Sequence, residues 1–161
     1  MRKATIILLS FIFLAVFGGK PPQKDPIQYS ILESGDTAAL DYREPTLVIM
    51  SNAKELGIFY RRLHSTKVPR PDTPMVDFST RRVVFVSYGR QTTAGYAIEL
   101  LDVYLKGNVL VLEALFSTPL KDSMQAQVIT HPYLLLSVSR AGYTRVELRN
   151  PKGEMLAFKS L

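Results

Sequence analysis

Few residues of this chain have the types and spacing that catalysis or metal binding requires. Its 161 residues include two histidines and no cysteine. The sequence contains no nucleophile elbow, zinc-protease helix motif, phosphate-binding glycine loop or dinucleotide fingerprint. His64 stands beside two arginines, which disfavour a metal cation, and His131 lies in an extended segment before a proline. We therefore expect no catalytic residue, no metal site, no cofactor and no enzyme activity.

The carboxylates form no convincing acid–base pair. Glu99 and Asp102 would point to opposite faces of an ideal strand, although a bulge would change that. Glu113 lies in an apolar strand and would need a partner if it were buried, and Arg90 or Arg82 could supply one across the sheet. A solvated outward face is the simpler interpretation of Glu113.

The most informative segment is the polar, glycine-bracketed stretch 89–96. Its two glycines permit positive φ, and its threonine hydroxyls stabilise turns. We interpret it as a long hairpin loop with Arg90, Gln91 and Thr92 at its tip and Tyr96 at its base. It is either a plain turn or a recognition loop presented by a rigid sheet. The candidate partner-binding residues are Gly89, Arg90, Gln91, Thr92, Thr93, Gly95 and Tyr96.

One helix precedes this segment. Asn52 with Glu55 three residues later resembles a capping box. Apolar side chains then recur at i, i+3, i+4 and i+7, which predicts one buried helix face formed by Leu56, Phe59, Tyr60 and Leu63.

The rest of the chain has β patterns. The predicted strands are 27–33, 46–50, a central strand at 83–86, a hairpin of 96–105 with 109–116 around Gly107-Asn108, 133–138, a half-exposed 143–149 and 155–158. Segregated strands and a single helix predict an α+β fold, with a mostly antiparallel sheet or sandwich-like domain and one amphipathic helix.

The N-terminus has the parts of a secretory signal. Arg2 and Lys3 precede an uncharged stretch, Ala4–Gly19, which is shorter than the roughly 20 apolar residues of a spanning helix. We expect a signal peptide over 1–18 cleaved near Gly18, a linker over 19–26, and a domain made of 27–75 and 76–161. The protein is then periplasmic or secreted, without a cysteine to acylate and without a stable membrane span. The alternative is an uncleaved N-terminal anchor.

The formal net charge of +6 raises the question of whether the protein binds nucleic acid. The basic residues concentrate around Arg61, Arg62 and Lys67, at the expected C-terminus of the helix, where cations are favourable with the helix dipole. Together with export, this position argues against nucleic-acid binding.

Several short motifs, in order, resemble the C-terminal domain of the PrcB family. They are Val76-Asp77-Phe78-Ser79, the apolar strand at 83–86, Gly89-x-x-Thr-x-x-Gly95-Tyr96, Ala97-Ile98-Glu99 and Thr130-His131-Pro132-Tyr133. The resemblance covers about 76–139. It implies a subunit of an envelope-associated protease complex that binds a subtilisin-like protease. Ala94 departs from the glycine that is common in the family, so the loop geometry can differ.

Thr92-Thr93-Ala94-Gly95-Tyr96 is also similar to one loop of chagasin-type cysteine-protease inhibitors. The other inhibitor loops are not recognisable. We therefore expect an exported, non-catalytic accessory protein whose partner is an envelope or secreted protease. The alternative classes are a chagasin-like inhibitor that uses the 89–96 loop, and an enzyme whose residues are dispersed in sequence.

Overall fold

The computed structural model describes residues 23–120 and 124–161. The expected signal peptide and the first part of the expected linker lie outside these ranges. Within them, the elements in chain order are β1 (Asp25–Pro26), β2 (Tyr29–Gly35), β3 (Thr46–Met50), α1 (Ala53–Leu63), β4 (Arg81–Ser87), β5 (Ala97–Lys106), β6 (Val109–Ser117), β7 (Tyr133–Ser139), β8 (Arg145–Arg149) and β9 (Met155–Ser160). No helix among the described residues is long and apolar enough to cross a membrane.

The strands form two sheets. One has five strands in the order β1-β5-β6-β8-β9, and the other has four in the order β2-β7-β4-β3. Neighbouring strands are antiparallel except β6 and β8, which run parallel from Val109↔Arg145 to Glu113↔Arg149. The expected class, a mostly antiparallel sandwich-like domain with one helix, is confirmed.

Strand β4 is central, as its apolar sequence predicts, because it pairs with both β3 and β7. Successive side chains of a strand point to opposite faces, so β4 contributes residues to two apolar clusters. Val84 and Val86 join the cluster between the sheets, where Leu110, Leu112 and Val146 are contributed by the other sheet. Val83 and Phe85 point to the opposite face, toward the helix.

Helix α1 covers that opposite face. Its N-cap Asn52 accepts the Glu55 N–H through Oδ1 at 2.9 Å, and Glu55 Oε2 accepts the Ser51 N–H at 2.7 Å. The predicted apolar face is buried, and the Phe59 ring lies 4.8 Å from the Phe85 ring, edge to face. The fold therefore has three layers: the five-stranded sheet, the four-stranded sheet and the helix.

Two predictions about the first strands need correction. Asp25 and Pro26, expected in a linker, pair with Leu105 and Tyr104 as a two-residue strand. The strand predicted at 27–33 is shifted by two residues, because β2 runs from Tyr29 to Gly35.

Strand β8 is more buried than its alternation predicts. Glu147 is only 7% exposed, although it alternates with the apolar residues Val146 and Leu148 as an outward residue would. Arg145 and Arg149 flank its carboxylate, with N–O distances of 2.9 and 2.6 Å. The paired charges allow a carboxylate to occupy a position that burial alone would disfavour.

Candidate functional site

The predicted recognition segment is a crossover between the two sheets. β4 ends at Ser87 in the four-stranded sheet, and β5 begins at Ala97 in the five-stranded sheet. The hairpin interpretation of this segment is wrong, because β4 finds its partners in β3 and β7. Two strands around a glycine-containing stretch indicate a connection, but they do not determine whether those strands pair.

The crossover docks on the chain that leads into β7. Gln91 and Thr130 exchange backbone hydrogen bonds, with N–O distances of 2.8 and 3.0 Å, and Ala94 N–H donates to the Ala126 carbonyl at 3.0 Å. The Thr130 hydroxyl also donates to the Thr93 carbonyl at 3.0 Å. These bonds join 88–96 and 124–132 into one surface feature, which we call the loop pair.

Both glycines of the crossover adopt the left-handed conformation that their type predicts. Gly89 has φ of 91° and Gly95 has φ of 90°. A Cβ on Gly89 would lie 2.7 Å from the Arg43 carbonyl oxygen, whereas one on Gly95 would lie 2.7 Å from Oε1 of the Gln125 side chain. Close approach of backbone to backbone therefore fixes the crossover most tightly at Gly89.

The loop pair presents part of the predicted tip to solvent. Arg90 and Thr92 are exposed, while Gln91 is half-buried because its backbone pairs with Thr130. At the other end the Tyr96 ring packs edge to face on Tyr88, with centroids 5.5 Å apart. Burial raises the pKa of Tyr88, and the neighbouring Tyr96 raises it further. The predicted base of the loop is thus an aromatic contact.

The second member of the loop pair contributes apolar residues to which the sequence analysis assigned no role. Met124, Val128 and Ile129 are exposed large hydrophobic side chains. In the sequence, only the short apolar pair Val128-Ile129, which precedes His131-Pro132 and strand β7, marks this segment. Apolar side chains beside a cation and hydroxyls give the loop pair the mixed surface that protein partners bind.

Residues 82–139 match the family model described as PrcB C-terminal. This segment is the part of the chain that is similar to the PrcB C-terminal family. It begins in β4 and ends with β7, so it contains both members of the loop pair and confirms most of the range over which the motifs resemble the family. Neither a curated protein nor a solved structure matches the chain.

The carboxylates of Glu99, Asp102 and Glu113 lie on an outer face of the five-stranded sheet. A bulge at Leu101 shifts the β5–β6 register, so Glu99 and Asp102 share the face opposite the core. Asp102 and Glu113 each lie 3.3 Å from the Lys24 ammonium. Glu113 therefore lies on an outward face, the simpler of the two interpretations. Its partner there is Lys24 of the extended N-terminal segment, and not Arg90 or Arg82.

The most polar cluster beneath the helix is centred on Glu33. Its carboxylate accepts hydrogen bonds from the hydroxyls of Tyr60 at 2.8 Å and Tyr133 at 2.7 Å, and it lies 3.1 Å from His64 Nε2. Burial acts to raise the pKa of Glu33, but the hydrogen bonds from Tyr133, Tyr60 and His64 outweigh it and lower that pKa. Burial and the bond to Glu33 hold the pKa of both tyrosines well above its usual range.

Both histidines have carboxylate partners. His64 is 1% exposed, and its ring packs edge to face on Tyr60. His131 Nε2 lies 3.3 Å from Asp41 Oδ1. Neither histidine bonds a serine or threonine hydroxyl within 23–120 and 124–161, and no group of three or more potential ligands there could hold a metal ion.

A cavity of about 330 Å³ opens beside the loop pair, where the matched segment 82–139 meets β2. It is lined by Ser34, Gly35, Asp36, Tyr96, Ala97, Ile98, Pro132 and Tyr133. Tyr96 and Pro132 belong to the loop pair, so the cavity and the loop pair form one continuous surface. The cavity combines aromatic walls with one carboxylic acid residue.

Proposed function

We propose that this chain is a non-catalytic accessory protein that binds a partner protein through the loop pair. The observation that supports this best is the docking of 88–96 on 124–132, which holds Arg90 and Thr92 outward beside exposed apolar side chains. A preorganised loop loses less entropy on binding than a mobile one. Arginine and tyrosine are also the residue types most enriched among binding hot spots.

The proposed partner is an envelope or secreted protease of the subtilisin-like class. The match of 82–139 to the PrcB C-terminal model suggests a protease-complex-related accessory protein. A non-catalytic role accords with the histidine contacts, since neither His64 nor His131 bonds a serine or threonine hydroxyl within 23–120 and 124–161.

Export is part of this proposal. Arg2 and Lys3 followed by an apolar run are typical of a secretory signal, so the mature chain would begin close to Gly19. N-terminal sequencing of protein from the envelope and culture medium tests this. A chain that retains Met1 and sediments with membranes would contradict cleavage and favour the uncleaved anchor.

A pull-down tests the accessory role. The mature chain, immobilised through its C-terminus, is incubated with envelope extract, and captured proteins are identified by mass spectrometry. Capture of a subtilisin-like serine protease that remains active in the complex supports the proposal. Capture of a papain-type protease whose activity is lost on mixing would contradict it and support the chagasin-like alternative.

A further inference from the structure

The outer edge of β5 is open along most of its length. β1 pairs with β5 only at Leu105 and Tyr104, and no other described strand pairs with β5 on that side. The stretch from Ala97 to Leu100 precedes the bulge at Leu101, so it is a regular edge. An exposed edge with unpaired backbone groups is a template for an added strand.

The chain itself shows what this edge accepts. The segment that pairs with Leu105 and Tyr104 is extended, and it brings Lys24 to the sheet. The Lys24 ammonium lies 3.3 Å from carboxylate oxygens of both Asp102 and Glu113, and 4.1 Å from the centroid of the Tyr104 ring. The β5 edge therefore binds an extended segment whose basic side chain meets carboxylates and an aromatic ring.

Carboxylic acid residues and aromatic rings also lie together at the other end of the edge, where the described residues place no lysine or arginine beside them. Ala97 and Ile98 line the cavity of about 330 Å³ together with Asp36, Tyr96 and Tyr133. Among the described residues, no cation forms an ion pair with Asp36 or with the exposed Glu99. A carboxylic acid residue that lines a cavity together with two tyrosines suits an arginine or lysine side chain, through a charge-assisted hydrogen bond and a cation–π contact.

We propose that an extended segment of the partner protein pairs with the Ala97–Leu100 edge of β5 and inserts an arginine or lysine side chain into the cavity beside Asp36. This inference rests on the proposed function, because it assumes a protein partner. It adds which feature of that partner is recognised by the surface next to the loop pair. The backbone hydrogen bonds give affinity for any extended sequence, and the acidic cavity gives specificity for a basic residue. The added strand stops at the bulge, where the ladder geometry is interrupted.

A phage library of random linear peptides, displayed against the mature chain, tests this inference. Asp36→Asn removes the charge, and Asp72→Asn removes an equally exposed charge that lies outside the cavity. Peptides selected on the wild-type chain and on Asp72→Asn should be rich in arginine and lysine. A selected peptide should bind Asp36→Asn about tenfold more weakly, as expected for loss of one charge-assisted contact. Hydrogen exchange with bound peptide should slow at the Ala97–Leu100 amides.

A parallel selection is made on Asp36→Asn. The inference is overturned if no peptides are selected, if basic residues are not enriched over the Asp36→Asn selection, or if protection falls along β2 with none at Ala97–Leu100. Protection confined to the loop pair would also overturn it while leaving the proposed function standing. As a control, thermal denaturation checks that each variant keeps the fold of the wild-type chain. Asp36 accepts the His131 N–H through its backbone carbonyl, a bond that Asp36→Asn retains.

Discussion

The connections on either side of β5 are built differently. After β5, Gly107 and Asn108 make a tight hairpin turn to β6, and a Cβ on Gly107 would meet no atom within 4 Å. Before β5, the crossover 88–96 leaves one sheet for the other, and a Cβ on Gly89 would meet the backbone at Arg43. Both glycines have positive φ. The hairpin turn is also tied to a distant residue, because Asn108 bonds Thr144 through its backbone and its side chain. The glycine itself packs against distant backbone only in the crossover.

This difference bears on function. A turn glycine with open space around it tolerates substitution, whereas a segment whose glycine packs against distant backbone can present side chains in one arrangement. The Thr130 hydroxyl that holds the Thr93 carbonyl lies 37 residues further along the chain. Rigidity in the crossover is thus a tertiary property, and each contact that maintains it offers a way to test it.

The largest expected effect comes from Gly89→Ala. A positive φ costs an L-residue roughly 1–2 kcal/mol, and a Cβ 2.7 Å from the Arg43 carbonyl oxygen forces the backbone to move. We expect a loss of about 2–3 kcal/mol in the free energy of unfolding, measured by chemical denaturation, because overpacking adds to the strain. A loss as small as that of Gly107→Ala would mean that the crossover is not tightly docked.

Thr130→Val should have an intermediate effect. It removes the hydroxyl that bonds the Thr93 carbonyl at nearly constant volume. We expect a loss of about 1 kcal/mol in unfolding free energy, the usual net contribution of one hydrogen bond. Thr92→Val is the matched control, since Thr92 is exposed and its hydroxyl forms no hydrogen bond within the described ranges. Equal losses in the two variants would argue against the hydroxyl contact.

Gly107→Ala should be milder still. The strain of a positive φ is partly offset, because alanine also restricts the unfolded chain. Since no atom opposes the new Cβ, we expect a loss of about 0.5–1 kcal/mol. A change of several kcal/mol in denaturation would show that the open space around Gly107 does not make this position tolerant.

Local signals predicted much of the fold. Asn52 and the apolar spacing of α1 define the helix, Gly107-Asn108 defines the hairpin, and the continuous apolar run of β4 defines the central strand. Each of these depends on neighbours in sequence, which propensity and periodicity describe.

The parts that sequence reasoning missed depend on distant partners. The inter-sheet crossover, the parallel β6–β8 pairing and the Lys24 contact with Glu113 join segments that no local pattern relates. For the candidate site, the residues of 89–96 and their positive φ were predictable. The apolar side chains at Met124, Val128 and Ile129 were not, because their relevance arises from the docking of one loop on another.

The most direct test of the account compares Arg90→Ala with Arg70→Ala in binding to the purified captured protease. Both arginines are exposed, but Arg70 lies in the proline-rich segment outside the loop pair. The account predicts that both variants keep their stability within about 0.5 kcal/mol, as surface substitutions usually do. It predicts that only Arg90→Ala weakens binding, by about 1 kcal/mol or more in calorimetry, as at a hot spot. Wild-type affinity for Arg90→Ala, or an equal loss in both variants, would contradict the claim that the loop pair recognises the partner.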